Sequence, residues 1–97
     1  MAVMMQMFWP GIGIAEYEAA RRRVNWEGDV PPGAKFHVMA VAADGVHVTD
    51  VWESQEQFER FAADRLMPAT RELGFPGAPQ VQFFPVHAIF APAYASA

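Results

Sequence analysis

His37, Asp50 and Trp52 are the residues whose types and spacing invite chemistry. They fall in two strand-like runs, 35–43 and 46–53, on either side of Asp44-Gly45, a pair favoured in two-residue type I′ hairpin turns. Taking that pair as the turn predicts a register. Ala43 faces Val46, Val41 faces Val48, Met39 faces Asp50 and His37 faces Trp52, all on one face because side chains alternate. His37 and Asp50 are then diagonal neighbours, about 7–8 Å apart at the backbone and within side-chain reach. A carboxylate that holds an imidazole fixes its tautomer and raises its basicity, which suits a general base. Trp52 supplies a flat apolar wall for a ring-shaped ligand. The same residues also fit a plainer description, a satisfied polar pair in a packed sheet face with Trp52 in the core.

The other candidates are weaker. His87 falls on the last predicted strand, where a second imidazole opening onto the same cleft could deliver or remove a proton; a structural role fits it equally. Tyr17 faces the sheet from the first predicted helix, so its phenol could enter that cavity or simply belong to the core. Phe61, Met39 and Phe58 are the expected apolar partners of Trp52 around a substrate. His47 sits one residue past the hairpin turn on the opposite face and is expected to be exposed. No His-x-x-x-His or similar pair is present, so no metal is expected. Ser54 is used by a helix cap, which leaves a serine nucleophile without support. Gly11 and Gly13 lack the fuller glycine pattern and lysine of a phosphate loop.

The elements that must position these residues follow from periodicity and punctuation. Val3 to Trp9 is apolar except for Gln6 and reads as a largely buried strand closed by Pro10-Gly11. Ile14, Tyr17, Ala20, Arg21 and Val24 recur at helical spacing and predict a helix over 14–24. Residues 25–34 form a loop in which Pro32-Gly33 suits the central positions of a type II turn. After the hairpin, Ser54 to Gln57 reads as a capping box, and Phe58, Phe61, Ala62, Leu66, Ala69 and Leu73 form the apolar stripe of a second helix. Pro68 predicts a kink or restart near Met67, and Gly74 with Pro76 ends the helix. Residues 80–90 read as a last strand with Pro85 at an edge or bulge. The order strand–helix–strand–strand–helix–strand predicts one α+β domain over 1–97, a four-stranded antiparallel sheet of ferredoxin-like topology with both helices on one face.

Composition narrows the partners. At 97 residues and 53% hydrophobic, the chain carries more apolar surface than so small a core hides, and a second copy pairing through the bare sheet face is the simplest cover. A net charge of -4 argues against nucleic acid, and Arg21-Arg22-Arg23 spreads round a helix at about 100° per residue instead of forming a stripe. The absence of cysteine excludes disulfides and thiolate metal sites and fits a reducing cytosol. The apolar start lacks the cationic leader of a signal peptide, and no apolar run approaches the roughly 20 residues of a membrane helix, so no membrane partner is expected.

Beyond these readings, the sequence resembles the dimeric α+β barrel superfamily, and within it the small antibiotic-biosynthesis-monooxygenase-like proteins. The resemblance is carried by Glu16-Tyr17, Pro32-Gly33 with Phe36-His37-Val38, Asp44-Gly45, the run Asp50-Val51-Trp52-Glu53-Ser54, Phe58 and Phe61, Arg65-Leu66-Met67-Pro68, Gly74 and Pro85-Val86-His87, which together span nearly the whole chain. It implies a homodimeric barrel. The wider superfamily includes cofactor-free monooxygenases of polyketide quinols, haem-degrading enzymes, lactone isomerases and polyketide cyclases, so the resemblance selects no single reaction. The leading expectation is a small enzyme without metal or organic cofactor, in which His37, oriented by Asp50, takes a proton from an aromatic or polyketide-like molecule held by Trp52 and Phe61. A non-catalytic small-molecule-binding or regulatory homodimer is the alternative. A haem-handling protein using His37 or His87 as axial ligand rests on the resemblance alone.

Overall fold

The computed structural model describes residues 1–94. Strand β1 (Val3–Pro10) is followed by helix α1 (Ile14–Val24), the hairpin β2 (Ala34–Ala42) and β3 (Gly45–Trp52), helix α2 (Gln55–Phe61), a π-helical turn (Ala62–Leu66), helix α3 (Met67–Glu72), strand β4 (Gln80–Pro85) and a short 3-10 turn (Pro92–Tyr94). The strands form one antiparallel sheet in the order β2-β3-β1-β4, the ferredoxin-like α+β topology expected from the element order.

The second helix restarts at Met67, as Pro68 requires. Proline lacks the N–H that would close the next turn and crowds the turn before it, so the preceding five residues widen into a π turn. Its end is a Schellman closure. Gly74 takes φ 76°, its N–H reaches the Arg71 carbonyl, and the Phe75 N–H reaches that of Thr70. At the start, Ser54 Oγ accepts the Gln57 N–H at 3.3 Å and donates to the Gln57 side chain at 2.9 Å. Helix α1 keeps its predicted bounds, but Ile14, placed in its apolar stripe, is 58% exposed; Ala20 and Val24 carry the packing.

The hairpin corrects the predicted register. Val41 pairs with Val46, Met39 with Val48 and His37 with Asp50, two residues from the expected alignment, so Ala43 and Asp44 form the connection and Gly45 opens β3. Gly45 is needed in the strand: a Cβ there would lie 2.2 Å from the Trp9 carbonyl oxygen, where β1 crosses closely. A shift of two preserves the faces. His37, Asp50 and Trp52 therefore still share one side, but His37 stands directly opposite Asp50 and Ala34 takes the place opposite Trp52. One extra residue, Lys35, is accommodated as a bulge between Ala34 and Phe36.

The helix-covered face reads across the sheet in rows. His37, Asp50, Met5 and Phe83 form one, and Met39, Val48, Met7 and Val81 the next. Met5 is fully buried, and Trp9, Val46, Trp52, Phe58 and Phe61 close the core around it. Burying each such side chain contributes about 1.5–3 kcal/mol. The opposite face has an apolar row of Phe36, Val51, Met4 and Phe84 beside a more polar one of Val38, Thr49, Gln6 and Gln82. Its Phe36, Val38 and Phe84 are 39%, 47% and 43% exposed. Strand β4 ends at Pro85, short of the predicted 90, and the Val86 N–H still reaches the Ala2 carbonyl. No helix among the described residues is long and apolar enough to cross a membrane.

Candidate functional site

Between sheet and helices lies a cavity of about 280 Å³ whose wall is almost wholly apolar. Met7, Trp9, Ile12, Trp52, Phe58 and Phe61 supply much of that wall. An engineered apolar cavity of about 150 Å³ takes up benzene, so this one has room for a fused-ring guest. Of the polar residues along it, which include Glu27, Lys35 and Thr70, three converge on one edge where α1, β2 and β3 meet: Tyr17, His37 and Asp50.

These groups form an unbroken hydrogen-bonded chain. Asp50, 6% exposed, has Oδ1 2.7 Å from His37 Nδ1, and its Oδ2 accepts the Trp52 indole N–H at 3.0 Å. Both carboxyl oxygens thus serve as acceptors, which places the ring hydrogen on Nδ1 and leaves Nε2 as the acceptor. Tyr17 Oη lies 2.6 Å from Nε2, so its O–H donates there. The two rings lie within 4° of coplanar with centres 6.0 Å apart. At that separation the phenol meets the imidazole edge-on, in line with the lone pair, and not face to face. Partial burial of the phenol pushes its pKa up from 10.0 to about 12, against a smaller opposing pull from the Arg21 guanidinium. Tyr17 is therefore a protonated donor at neutral pH.

Trp26 completes this edge, and sequence reasoning passed over it as a loop residue. Its ring centre lies 5.4 Å from that of His37 and 5.7 Å from that of Tyr17. The left-handed Asn25 (φ 58°) ends α1 and turns the chain back so that Trp26 reaches the cavity. A tryptophan directly after a helix-ending asparagine was the available signal. Glu27 follows at the wall and is gripped through both carboxylate oxygens by Arg21 at 2.8 Å, which pins this segment to the helix. On the far side, the Arg65 guanidinium lies 5.3 Å from the Phe61 ring centre and donates to the Val24 carbonyl at 3.0 Å.

Of the residues singled out from sequence, Tyr17, His37, Asp50, Trp52, Phe58 and Phe61 meet at the cavity. Met39 packs against the core beside it without lining it. His87 is not brought to the site. The strand expected to carry it stops at Pro85, and His87 stands exposed beyond that end, outside the cavity wall. His47 lies on the other face, stacked on Phe8 at 4.6 Å and paired with Asp44 at 3.0 Å. No group of three or more His, Cys, Asp or Glu side chains converges on a metal position among the described residues.

This fold, with its apolar chamber under two helices, is the α+β architecture of antibiotic-biosynthesis-monooxygenase proteins, which are the chain's structural neighbours. SnoaB, a cofactor-independent oxygenase from Streptomyces nogalater, superposes with a TM-score of 0.61 at 19% identity, covering 91% of this chain and 94% of its own. A monooxygenase from the gene ActVA-Orf6 of Streptomyces coelicolor, in complex with the ligand Nanaomycin D, gives 0.54 at 25% identity over 93% of this chain and 91% of its own. A Deinococcus radiodurans protein assigned as an antibiotic biosynthesis monooxygenase gives 0.60 at 9% identity over 94% and 97%. No protein-family model and no curated protein matches the chain.

Proposed function

We propose that this protein is a small enzyme that oxidises an aromatic, polyketide-like molecule by proton abstraction, in the manner of a monooxygenase and without metal or organic cofactor. The observation that carries the reading is the chain Tyr17–His37–Asp50 opening onto an apolar chamber of fused-ring size. The oxygenase and monooxygenase among the structural neighbours, one of them holding Nanaomycin D, support the same direction.

His37 Nε2 is already engaged by Tyr17, so a substrate hydroxyl reaches it through the phenol. The substrate O–H passes its proton to Tyr17 Oη while the Tyr17 proton moves to Nε2. Asp50 stabilises the imidazolium that forms and keeps Nδ1–H in place. The resulting phenolate is electron-rich. It gives one electron to dioxygen, and the phenoxyl and superoxide so formed combine at a ring carbon. The peroxide anion takes the proton back from the His37 imidazolium through Tyr17, and the resulting hydroperoxide loses water to leave a carbonyl. The sum is phenol plus dioxygen to quinone plus water, with both electron pairs drawn from the substrate. The same proton abstraction serves cyclisation or isomerisation where dioxygen takes no part.

The test is oxygen uptake and product mass over a panel of fused-ring phenols such as anthrone and dihydroxynaphthalenes. Wild type is expected to turn over at least one, and His37→Ala, with the fold intact by circular dichroism, to lose that turnover. Equal activity in His37→Ala would overturn the reading. Tight binding of the panel with no conversion would replace it with the small-molecule-binding alternative.

We further propose that the working form is a homodimer paired through the exposed sheet face. Phe36, Val38 and Phe84 give that face its apolar ground, and the helices leave it uncovered. Native mass spectrometry is expected to show a dimer, and Val38→Glu to convert it to monomer; a wild-type monomer would remove this part of the proposal.

A further inference from the structure

Tyr17, His37 and Asp50 have the connectivity of a hydrolase triad, with a phenol where such triads carry an alcohol or thiol. The donor oxygen is 2.6 Å from the base nitrogen, and the other ring nitrogen is 2.7 Å from a buried carboxylate. That carboxylate is itself fixed by the Trp52 indole N–H at 3.0 Å. Nucleophile, base and orienting acid are therefore all in hydrogen-bond contact before any substrate arrives, beside a chamber of about 280 Å³. None of this geometry depends on oxygen chemistry.

We propose that Tyr17 is an acyl-accepting nucleophile and that the chamber cleaves small neutral aryl esters through an acyl-Tyr17 intermediate. In the first half, Tyr17 Oη adds to the ester carbonyl carbon as its proton passes to His37 Nε2. The tetrahedral adduct collapses, the bond to the aryl oxygen breaks, and His37 returns the proton to the departing aryloxide. In the second half, water occupies the place against Nε2, gives a proton to His37 and adds to the acyl carbon. The bond to Tyr17 oxygen breaks and the phenolate recovers its proton from His37. Ester and water become carboxylic acid and phenol, and no electrons change hands. Asp50 acts here as a positioning residue.

The chemistry of the nucleophile selects the substrate class. An acylated tyrosine is itself an aryl ester, and because burial makes the Tyr17 oxygen the more basic one, transfer from the ester of a more acidic phenol runs downhill to Tyr17 and release of the acyl group is the slower half. Alkyl esters and amides would have to expel a far more basic group and are left intact. Glu27 and Lys35 also border the chamber, but most of its wall is apolar, which favours neutral acyl groups over ionised ones.

The experiment uses the full chain with 4-nitrophenyl acetate under anaerobic conditions, with ethyl acetate as the control ester. Nitrophenolate release is followed by absorbance, and acid-quenched samples are mapped by peptide mass spectrometry. The expected result is release about 10²–10⁴-fold above buffer, one acetyl group on Tyr17, and no hydrolysis of ethyl acetate. Tyr17→Phe and His37→Gln, checked for fold by circular dichroism, drop to the rate of surface acylation. An acetyl group found only on Lys35, His37 or the N-terminus of wild type overturns the proposal whether or not the variants fold, as does unchanged release by Tyr17→Phe. Since dioxygen is absent, neither result bears on the oxygenase reading.

Discussion

Tyr17 Oη on α1 lies 2.6 Å from Nε2 of His37 on β2, so that, although both side chains line the cavity, the phenol occupies the ring nitrogen a substrate would otherwise reach. The spacing of His37 and Asp50 in the chain predicts that His37 is the base acting directly on substrate. The geometry inserts Tyr17 between them. The two side chains then act as one unit, and their removal is expected to be strongly non-additive. With a substrate identified by oxygen uptake, Tyr17→Phe and His37→Ala should each lower kcat/KM by about 10²–10⁴-fold. The double variant should be little worse than the poorer single one. Additive losses in the measured kcat/KM values would show that the pair does not work in series.

The raised pKa of Tyr17 has a signature of its own. Burial moves it from 10.0 to about 12, so the folded chain holds this proton more tightly than the unfolded chain does. Below pH 10 the phenol is neutral in both states and stability does not depend on it. As pH rises from about 10 to 12 the unfolded state ionises first, and stability falls across that window. At ~1.4 kcal/mol per unit, discounted for the phenol's partial exposure, the loss is about 1–2 kcal/mol. Ultraviolet titration of tyrosinate should show a component near pH 12 that disappears in Tyr17→Phe. That variant should also lose part of the alkaline decline in stability seen by denaturant unfolding.

Asp50 holds two donors at once, the His37 ring N–H and the Trp52 indole N–H. Asp50→Asn can satisfy only one of them through its single carbonyl oxygen and sets an N–H against the other. The variant is expected to lose about 1–3 kcal/mol of stability from the stranded buried donor. It should also release the His37 tautomer, so that hydrogen appears on Nε2 and Tyr17 can no longer donate to it. Nitrogen NMR of His37 checks the tautomer and denaturant unfolding checks the stability. A wild-type-like tautomer in Asp50→Asn would mean that something other than Asp50 orients the ring.

Much of this site was legible in the chain, and the reasons differ by element. The helices were read from spacing and from Ser54, Pro68 and Gly74, all of which act locally, and their bounds held closely. The shared face of His37, Asp50 and Trp52 was legible because alternation survives any shift by two residues. The partner of His37 was not, because Asp44-Gly45 looks like a turn and only the close passage of β1 shows why the glycine sits in the strand. The place of Trp26 was hidden for a similar reason: it depends on how the end of α1 lies over β2, a tertiary relation with no period in sequence. Residues 86–90 continued the apolar run of β4, yet the ladder stops at Pro85, and His87 moved out of the site with that boundary.

Gly45 offers the sharpest test of the register on which the site depends. It adopts φ 149°, a conformation that residues with a side chain rarely take, and its Cα faces the β1 backbone. A methyl group there would meet the Trp9 carbonyl oxygen at 2.2 Å and Pro10 Cα at 2.9 Å, both backbone atoms that cannot swing aside. Gly45→Ala must therefore push β3 from β1 or slip the hairpin. A cost of about 2–4 kcal/mol is expected, in the range of strained-backbone and overpacking substitutions. Gly74→Ala is the matched control. Gly74 also has positive φ, at 76°, but no atom lies within 4 Å of its added methyl, so strain alone should cost it about 1 kcal/mol. If denaturant unfolding gave the two variants equal losses, Gly45 would not be held against β1, and the pairing of His37 with Asp50 would lose the contact that sets it.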